Sequence, residues 1–416
     1  QQEEYRAEIR AIRAMFYYYA MDMFGRVPLV LSSAEQLHSS LFQGQTDRSS
    51  IFQFVFQELQ QVLPSLPDQH SNKEGNYYGR ITQPVVNFLL AKLALNAEIY
   101  MYDDWTQGYA SRPKGSDIHF SVPASDASLC NGDKVDCRKL NAWETCIYYC
   151  DKLAEEGYVL ESDDSFNFST HNETSKENIF TIPMDKNLYT SQMQYLFRSR
   201  HYNHAKAYGL GGENGSCATI EALRVFAYGT DSVDTRFYEN YYADTMFDLN
   251  GDTIRLDNGT PLVYLPLEVR LDLSRLPAEK TAGARMKKYE IDKMGTKDGK
   301  LSDNDIVLFR YADVLLMRSE AKVRNGENGD EELNAVRFRV GMLPRKATLE
   351  NILAERQLEL AWEGWRRQDL VRFGKFTRPY TDRPQLPHES NGYTTVFPIP
   401  DKVRSLNPNL IQNPGY

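Results

Sequence analysis

Two stretches of the sequence, residues 84–104 and 140–158, combine helical spacing of apolar side chains with interleaved small and aromatic residues. The first reads PVVNFLLAKLALNAEIYMYDD, and Pro84 suits the first turn of a helix. The second reads LNAWETCIYYCDKLAEEGY, with Gly157 as its predicted stop. Because small residues let helices approach closely and rings fill the neighbouring grooves, these stretches predict helices that pack on other helices.

Helical periodicity recurs along much of the chain and predicts several further helices. Gly25 and Gly326 are predicted helix stops, and Thr348 is a predicted N-cap. The small and aromatic texture resembles tetratricopeptide-type helical hairpins, although insertions break a regular repeat. The predicted helical scaffold covers residues 1–104, 140–158 and 304–374.

Residues 160–303 have a different character. The segment ENIFTIPMD predicts a short strand, and Asn258-Gly259 lies between two β-prone runs, which indicates a hairpin. Between them, residues 194–218 are rich in Tyr, His and Gly and show no regular period. A long irregular segment of this kind is typical of a functional loop or of a loop that covers the scaffold. Residues 160–303 are therefore predicted to be a loop-rich and β-rich insertion.

The stretch ERQLELAWEGWRRQDLVRFG, residues 355–374, holds the densest set of side chains capable of chemistry. Glu355, Glu359 and Glu363 recur every fourth residue and would share one narrow seam of a continuous helix. That helix would be apolar on two opposite sides, which indicates burial between neighbours. Glu359 and Glu363 could be the carboxylate pair of a glycoside hydrolase, or they could be an ion-paired structural seam.

Arginines close by in the sequence favour the structural interpretation. Arg356 is placed to reach Glu359, and Arg366 and Arg367 are placed to reach Glu363. Such pairing stabilises ionised carboxylates, whereas a catalytic acid needs a raised pKa and a cleft. We therefore expect a structural seam, with Trp362 and Trp365 in the core, and no catalytic residue.

Metal and redox motifs are weak. Residues 248–252, DLNGD, imitate the start of a calcium loop but lack its later glycine and its closing glutamate. His201 and His204 have no third ligand nearby in the sequence. Neither a metal nor a cofactor is predicted, although calcium binding and a Cys130–Cys137 disulfide both stay open.

Composition excludes some functions and leaves others open. The formal net charge is −9 and no run of Lys or Arg occurs, so no nucleic-acid partner is predicted. No stretch approaches the roughly 20 apolar residues of a membrane span. The 26 Tyr, 20 Phe and 4 Trp suit both helix packing and a surface that stacks on sugars or peptides.

Five sequence blocks, in order, resemble the SusD/RagB family of outer-membrane nutrient-binding lipoproteins. The C-terminal signature of that family is similar to ERQLELAWEGWRRQDLVRFGKF. Its preceding helices are similar to FRYADVLLMRSEAKVRNG and ELNAVRFRVGM, and its closing segment to PIPDKVRSLNPNLIQNPGY. Near the start, EIRAIRAMFYYYAMDMFGRVPLV is similar to the helix of that family that ends in Phe-Gly-x-Val-Pro.

The resemblance implies one mostly α-helical, SusD-like domain over residues 1–416, with tetratricopeptide-like helical hairpins, long loops and a few short β-hairpins. It implies no catalytic activity and a lipid-anchored protein on the outer-membrane surface of a Gram-negative bacterium. The implied partners are an oligosaccharide and a SusC-like TonB-dependent transporter that imports it. The lipid-modified cysteine and the first helical segment of the family are missing here, so we expect a partial copy.

Binding residues cannot be carried over from the family, so they are predicted from chemistry. Sugars bind aromatic platforms beside carboxylate, amide or Arg groups that match their hydroxyls. Trp105 is the one Trp predicted in a loop, and packing inward as a loop anchor is the open alternative for it. The candidate ligand-binding residues are Asp103, Asp104, Trp105 and Tyr109, followed by Tyr195, Arg198, Tyr202 and His204.

Three functions remain distinguishable from the sequence. Capture of oligosaccharides for a transporter is the leading hypothesis. Binding of peptides by the same architecture, as in RagB-like relatives, is the alternative, and it needs a roomy cleft instead of a stacking platform. A glycoside hydrolase that uses Glu359 and Glu363 is the third.

Overall fold

A computed structural model describes residues 1–33, 43–125, 136–188, 199–295, 301–381 and 383–416. Helices dominate the first and last thirds of the chain. The helices before the middle region are α1 (Gln2–Phe24), α2 (Arg48–Val62), α3 (Gln83–Leu95), α4 (Ala97–Tyr100) and α5 (Ala142–Glu155). The middle region contains α6 (Tyr202–Ala207), α7 (Ile220–Val225) and α8 (Phe237–Asn240). The later helices are α9 (Tyr311–Arg324), α10 (Asp330–Arg339), α11 (Leu349–Leu360), α12 (Arg366–Arg372) and α13 (Asp401–Leu406).

Helix α3 lies at the centre of the scaffold. It packs against α2, α5 and α9, and every residue from Pro84 to Leu95 is buried. This burial on all sides explains why its sequence is apolar almost without interruption. The prediction that this stretch packs on other helices is confirmed, and one of its neighbours is α5, the later small/aromatic stretch. One hydrophobic core cluster joins α1, α2, α3, α5 and α9.

The predicted helix ends are also confirmed. Gly25 follows α1 with a φ of +71°, a conformation that favours glycine. A Cβ atom at this position would lie 2.7 Å from Cη2 of Trp105, so the residue must also be small. At the other end of the chain, Thr348 Oγ1 accepts a hydrogen bond of 3.1 Å from the Asn351 amide and caps α11.

The strands are short and form two-stranded antiparallel sheets. β1 (His119–Pro123) pairs with β2 (Cys137–Asn141), and β3 (Asn178–Ile182) pairs with β8 (Ile306–Arg310). β4 (Tyr241–Tyr242) pairs with β7 (Arg285–Met286), and β5 (Asp244–Thr245) pairs with β6 (Val263–Tyr264).

Two predictions about the middle region are confirmed. The segment ENIFTIPMD contains β3. The predicted turn lies between Arg255 and Pro261, which form an isolated antiparallel bridge. Gly259 stands in that turn with a φ of +83°.

The predicted start of the helix that contains α9 is wrong. Residues 306–310 form β8 instead, and the helix begins at Tyr311. The sequence Ile-Val-Leu-Phe at this point is rich in β-branched and aromatic residues, and it finds a partner in β3. The pairing with a strand more than a hundred residues earlier could not be read from local helical spacing.

The prediction of one continuous helix through residue 374 is also wrong. Helix α11 ends at Leu360 and α12 begins at Arg366. In the turn between them Trp362 has a φ of +65° and Gly364 a φ of +84°. Left-handed residues cannot continue a right-handed helix, so Glu363 leaves the helical seam that its spacing predicted.

The ion-paired seam is nevertheless confirmed for Glu355 and Glu359, with partners from other segments. We name this group the Glu359 cluster, and its members are Glu177, Arg236, Arg310, Arg337, Arg339, Glu355 and Glu359. Arg236 Nη1 lies 2.7 Å from Glu355 and 2.9 Å from Glu359. Arg310 Nη1 lies 2.8 Å from Glu359, which also pairs with Arg339. The side chain of every member is at most 4% exposed.

The partners predicted from sequence proximity are wrong. Arg356 points away from Glu359 and pairs with Asp313 at 2.7 Å and with Asp369 at 2.9 Å. Glu363 pairs with Lys288 and Arg310, each at 2.7 Å, not with Arg366 or Arg367. A long side chain on a buried helix reaches neighbouring elements as easily as its own, and helical spacing cannot say which.

The cysteines divide into two groups. Cys137 is disulfide-bonded, and Cys130, the partner considered for it, lies outside the described residues. Cys146 and Cys150 are free and buried on α5, and Cys217 is free and half-buried.

Candidate functional site

Trp105, the predicted sugar platform, packs inward at a corner of the scaffold. It is 5% exposed and begins a short 3-10 turn, Trp105–Gln107. The Arg48 guanidinium lies 4.7 Å from the centroid of its ring, and the Arg26 guanidinium lies 6.0 Å away. Because cations and the Gly25 backbone cover the indole, this geometry matches the loop anchor that the sequence left as the alternative.

The two aspartates beside Trp105 do not form a shared polar patch with it. Asp103 accepts hydrogen bonds from the Ser49 backbone amide at 3.0 Å and from its hydroxyl at 2.5 Å. It therefore holds the first turn of α2, as a capping residue would. Asp104 is exposed, and its carbonyl accepts from the Gln107 amide at 2.9 Å.

Tyr109, unlike Trp105, is exposed. Its side chain is 48% exposed, and the Arg112 guanidinium lies 3.8 Å from the ring centroid. Together with Trp105 it lines a pocket of about 130 Å³ that we name the Trp105 pocket. Tyr109 and Trp105 are thus brought together, but around a small pocket and not on an open platform.

Two residues of the second predicted group, Tyr202 and His204, lie in the described part of the chain, both on α6. Tyr202 is 56% exposed on α6, whereas His204 is completely buried. The His204 Nδ1 atom lies 2.9 Å from the Tyr264 hydroxyl, and burial lowers the pKa of His204 to about 3. His204 is therefore a neutral core residue in the described structure, which corrects its prediction as a contact for a ligand. Tyr195 and Arg198 lie outside the described residues.

A much larger cleft, which the sequence did not predict, lies beside the turn between α11 and α12. Its volume is about 930 Å³, within the range of about 300–1,000 Å³ that is typical of ligand sites. We name it the Trp362 cleft, and its walls are α7, the α11–α12 region and the segment 375–381. Its aromatic lining residues are Tyr241, Trp362, Phe376 and Tyr380.

The turn between the two helices creates this cleft. The left-handed residues Trp362 and Gly364 change the direction of the chain, so Trp362 lines the cleft while Trp365 is 7% exposed in the core. The Trp362 ring lies 5.6 Å from the buried Tyr241 ring, with a tilt of 54°. Left-handed conformations at large non-glycine residues are uncommon and often mark functional sites. Trp362 is thus half-buried, which corrects the expectation that both tryptophans are core.

The opposite wall is tied to α7 through Glu221. Its carboxylate accepts two hydrogen bonds of 2.6 Å from Thr381, one from the amide and one from the hydroxyl. Burial by itself would raise the pKa of Glu221, but these hydrogen bonds outweigh it and lower the pKa. Tyr380, the preceding residue, is therefore held at the edge of the cleft.

Arg366 supplies a charged group beside the rings. Its Nη1 donates a hydrogen bond of 2.8 Å to the Leu353 carbonyl, and its guanidinium forms no ion pair with the residues that the structure describes. Burial lowers the pKa of Arg366, so the group is partly removed from water. It stays charged because guanidinium groups ionise far above neutral pH.

The two cavities meet at one residue. Phe376 lines both the Trp105 pocket and the Trp362 cleft, with Gly374 on the side of the first and Arg378 on the side of the second. The predicted loop at Trp105 therefore borders the same surface as the larger cleft. Reasoning from the sequence missed Trp362, Arg366 and Tyr380, although Gly364 within the signature was a signal that the helix breaks there.

No metal centre is found in the described ranges, where no three His, Cys, Asp or Glu residues are grouped to hold an ion. Asp248, the first residue of the calcium-like segment, accepts from the amides of Asn250 at 2.8 Å and Asp252 at 2.9 Å. The Asp248 carboxylate therefore stabilises the turn of its own loop. Among the helices that are described, none is long and apolar enough to cross a membrane.

The chain is similar to a starch-binding protein and to a SusD-like protein. Starch-binding protein SusD of Bacteroides thetaiotaomicron is 24% identical over 449 residues, which cover 99% of this chain and 72% of that protein. A SusD-like protein of Formosa agariphila is 34% identical over 135 residues, or 28% of this chain and 25% of the relative.

Solved structures show the same fold. Surface glycan-binding protein A of Bacteroides thetaiotaomicron, in complex with laminarihexaose, matches 99% of this chain and 78% of its own. The TM-score is 0.67 at 19% identity. A laminarin-binding SusD-like protein matches 100% of this chain and 79% of its own, with a TM-score of 0.66 at 20% identity.

These neighbours confirm the predicted mostly helical, SusD-like fold, and the family model itself covers more than half of the chain. The model described as the SusD family matches residues 176–416, which include β3, all helices from α6 onward and the Trp362 cleft. The chain belongs to the SusD family.

Proposed function

We propose that this protein binds an oligosaccharide in the Trp362 cleft. The observation that carries the proposal is a cleft of about 930 Å³ in which four aromatic residues stand beside a guanidinium group. Aromatic faces bind the apolar faces of sugar rings, and guanidinium groups donate to hydroxyl oxygens. The relatives named for binding starch and laminarin support the choice of a glycan as ligand.

The wider role follows from family membership and is also proposed. The protein is held on the surface of a Gram-negative outer membrane by a lipid anchor, and it delivers its glycan to a SusC-like TonB-dependent transporter. Affinity purification of the full-length protein from the native membrane tests this. Recovery of a barrel transporter in a stable complex supports the role, and recovery of the protein alone contradicts it.

Binding itself is tested by calorimetric titration with a panel of neutral and acidic oligosaccharides. We expect saturable binding that Trp362→Ala weakens by at least about tenfold, because an aromatic contact at the centre of a site contributes about 1.4 kcal/mol or more. Tyr380→Ala should weaken binding less, since Tyr380 stands at the edge of the cleft.

Two control variants separate this cleft from the sites predicted from the sequence. Tyr109→Ala alters the Trp105 pocket, and Tyr202→Ala removes an exposed ring from α6, which is outside the cleft lining. Both should bind normally. If either control variant loses binding while Trp362→Ala binds normally, the binding site lies elsewhere than in the Trp362 cleft. If the wild-type protein binds no oligosaccharide of the panel, glycan binding is rejected. Peptides found by native mass spectrometry would favour the peptide-binding alternative.

The geometry does not favour a hydrolase. Burial alone would raise the pKa of Glu359, but the guanidinium groups of Arg339, Arg310 and Arg236 hold it well below its usual value. A general acid of a glycosidase needs the opposite shift. We expect no release of sugar by the pure protein.

A further inference from the structure

The walls of the Trp362 cleft carry an excess of positive charge. Five cationic and two acidic side chains line it, although the whole chain has a formal net charge of −9. The cations are Arg224, Arg366, Arg367, Lys375 and Arg378, and the acids are Glu221 and Glu350. Asp382, the next residue after the segment 375–381, lies outside the described residues. A cleft lined by one sign of charge concentrates ligands of the opposite sign.

Part of this positive charge is not neutralised by ion pairs within the described part of the chain. Arg367 pairs with Asp22 at 2.8 Å, but Arg366, Lys375 and Arg378 form no ion pair in the part of the chain that the structure describes. The Glu221 carboxylate is occupied by Thr381, and Glu350 is exposed at the start of α11. The available charge of the cleft is therefore cationic.

Arg366 differs from the fully buried arginines that form ion pairs and resembles the buried Arg48, which also donates to a backbone carbonyl and forms no ion pair among the described residues. The largest fully buried arginines, Arg236, Arg310, Arg337, Arg356 and Arg372, each pair with at least one carboxylate. Arg366 has only the Leu353 carbonyl, although burial lowers its pKa. A guanidinium has five N–H donors in a planar fork, so most of the hydrogen-bonding capacity of Arg366 remains for a ligand.

The aromatic rings place a sugar next to that guanidinium. Tyr380 and Tyr241 line the cleft together with Arg366. Burial raises the pKa of both tyrosines, and the nearby charge of Arg366 opposes that rise. Trp362 comes four residues before Arg366, across the turn that Gly364 makes possible. A sugar ring stacked on these aromatics would therefore hold its substituents beside a cation. Paired N–H donors bind carboxylate and sulfate oxygens more strongly than neutral hydroxyls.

We propose that the Trp362 cleft selects oligosaccharides that carry an anionic substituent, a carboxylate or a sulfate, and that Arg366 contacts that substituent. This proposal rests on the proposed function, namely glycan binding in the same cleft. Lys375 and Arg378 add long-range attraction from the exposed wall, and Arg366 supplies the directed contact.

The experiment compares matched pairs of oligosaccharides that differ in charge alone. Uronic-acid oligosaccharides are titrated beside their carboxyl-reduced forms, and sulfated oligosaccharides beside their desulfated forms. For one of the two pairs we expect the acidic member to bind at least about tenfold more tightly, a preference of about 1.4 kcal/mol. The preference should shrink as salt is added, because the exposed cations are screened.

Variants test whether Arg366 is responsible for the preference for the acidic member. Arg366→Gln should remove the tenfold preference and leave binding of the neutral member within about twofold, a change below about 0.5 kcal/mol. Arg6→Gln removes the same charge from the exposed surface of α1 and should change nothing. If Arg366→Gln does not fold, the double variant Lys375→Gln/Arg378→Gln tests the same cleft with less buried residues and should reduce the preference.

The outcomes separate this inference from the function on which it rests. Equal or tighter binding of the neutral members by the wild-type protein overturns the selectivity and leaves glycan binding intact. An acidic preference that survives in Arg366→Gln overturns the role of Arg366. Failure to bind any member of either pair, while acidic peptides bind, overturns both the selectivity and the proposed function.

Discussion

Residues 355–374 hold charge in two ways: most of the buried charges, such as Glu359 and Asp369, form ion pairs, whereas Arg366 forms none among the described residues. Before Ala361, Glu355 and Glu359 are buried, and each is paired with arginines from distant segments. After it, Arg366 is partly removed from water and forms no ion pair among the described residues; the nearby Asp369 carboxylate pairs with Arg356 and Arg372 instead. Paired buried charges hold elements in place and leave no capacity for a ligand, whereas an unpaired cation in a cleft gains a partner only when a ligand binds.

Removing a charge from the Glu359 cluster should have the largest effect on the free energy of unfolding. Glu359→Gln leaves three buried guanidinium groups with one carboxylate fewer, and we expect the free energy of unfolding to fall by about 3–5 kcal/mol. Denaturation with urea measures this. Glu350→Gln, at an exposed site of the same helix, should change it by less than about 0.5 kcal/mol. A stable Glu359→Gln protein would show that the cluster does not hold the scaffold together.

Acid should weaken the buried ion pairs of residues 355–374 before it affects the cleft. Burial alone would raise the pKa of Asp369, but Arg356 and Arg372 lower it to about 2. Because this folded value lies below the unfolded one, the carboxylate stabilises the protein at neutral pH by about 2–3 kcal/mol. That contribution is lost as the pH falls from about 4 to about 2.

Unfolding curves at several pH values check the acid effect. Asp369→Asn should be less stable at neutral pH and should lose less stability on acidification than the wild type. Asp401→Asn, whose side chain is 92% exposed in its pair with Arg404, should follow the wild-type pH dependence. Parallel curves for Asp369→Asn and the wild type would contradict the assignment of the acid effect to Asp369.

The turn between α11 and α12 should be sensitive to glycine replacement. Gly364 has a φ of +84° with no atom near the site of a Cβ, so Gly364→Ala is disfavoured by backbone conformation alone. We expect a loss of about 1–2 kcal/mol in the free energy of unfolding. Gly215→Ala, where a Cβ would also meet open space but without a left-handed φ, should cost less than about 0.5 kcal/mol.

The smallest loss of stability is expected for Arg366→Gln, and Arg356→Gln is its matched contrast. Arg366→Gln should cost less than about 1 kcal/mol, since it removes one hydrogen bond and an unpaired charge. Arg356→Gln should cost about 3–5 kcal/mol, because Asp313 and Asp369 would lose their shared partner. Thermal unfolding of the two variants side by side checks the difference, and equal losses would remove the distinction between paired and unpaired charge.

Much of the fold was predictable because local spacing reports burial. The pattern of α3 and α5 predicted both the helices and their packing, and Gly25 and Thr348 marked helix ends where the structure has them. Strand β8 was missed because its partner β3 is distant in the sequence, so local helical spacing prevailed in the prediction.

The candidate site was less predictable than the fold. Trp105 was predicted either to present its ring to a sugar or to pack inward as a loop anchor, and Arg48 and Gly25 cover the ring. Trp362 was expected in the core, yet a left-handed turn places it at a cleft. Whether an aromatic residue is anchor or platform depends on which neighbours close over it, and those neighbours come from other parts of the chain.

The sequence by itself determined the family, the helical scaffold and the pairing of Glu355 and Glu359 with arginines, because these depend on residue types and on spacing along a helix. Only the tertiary structure decided which arginines pair with which carboxylates and where a cleft opens. Ion pairs and cleft walls join residues far apart in the chain, such as Glu359 with Arg236 or Glu221 with Thr381. The physical reason is that buried charges and open aromatic faces take their properties from neighbours that only folding brings together.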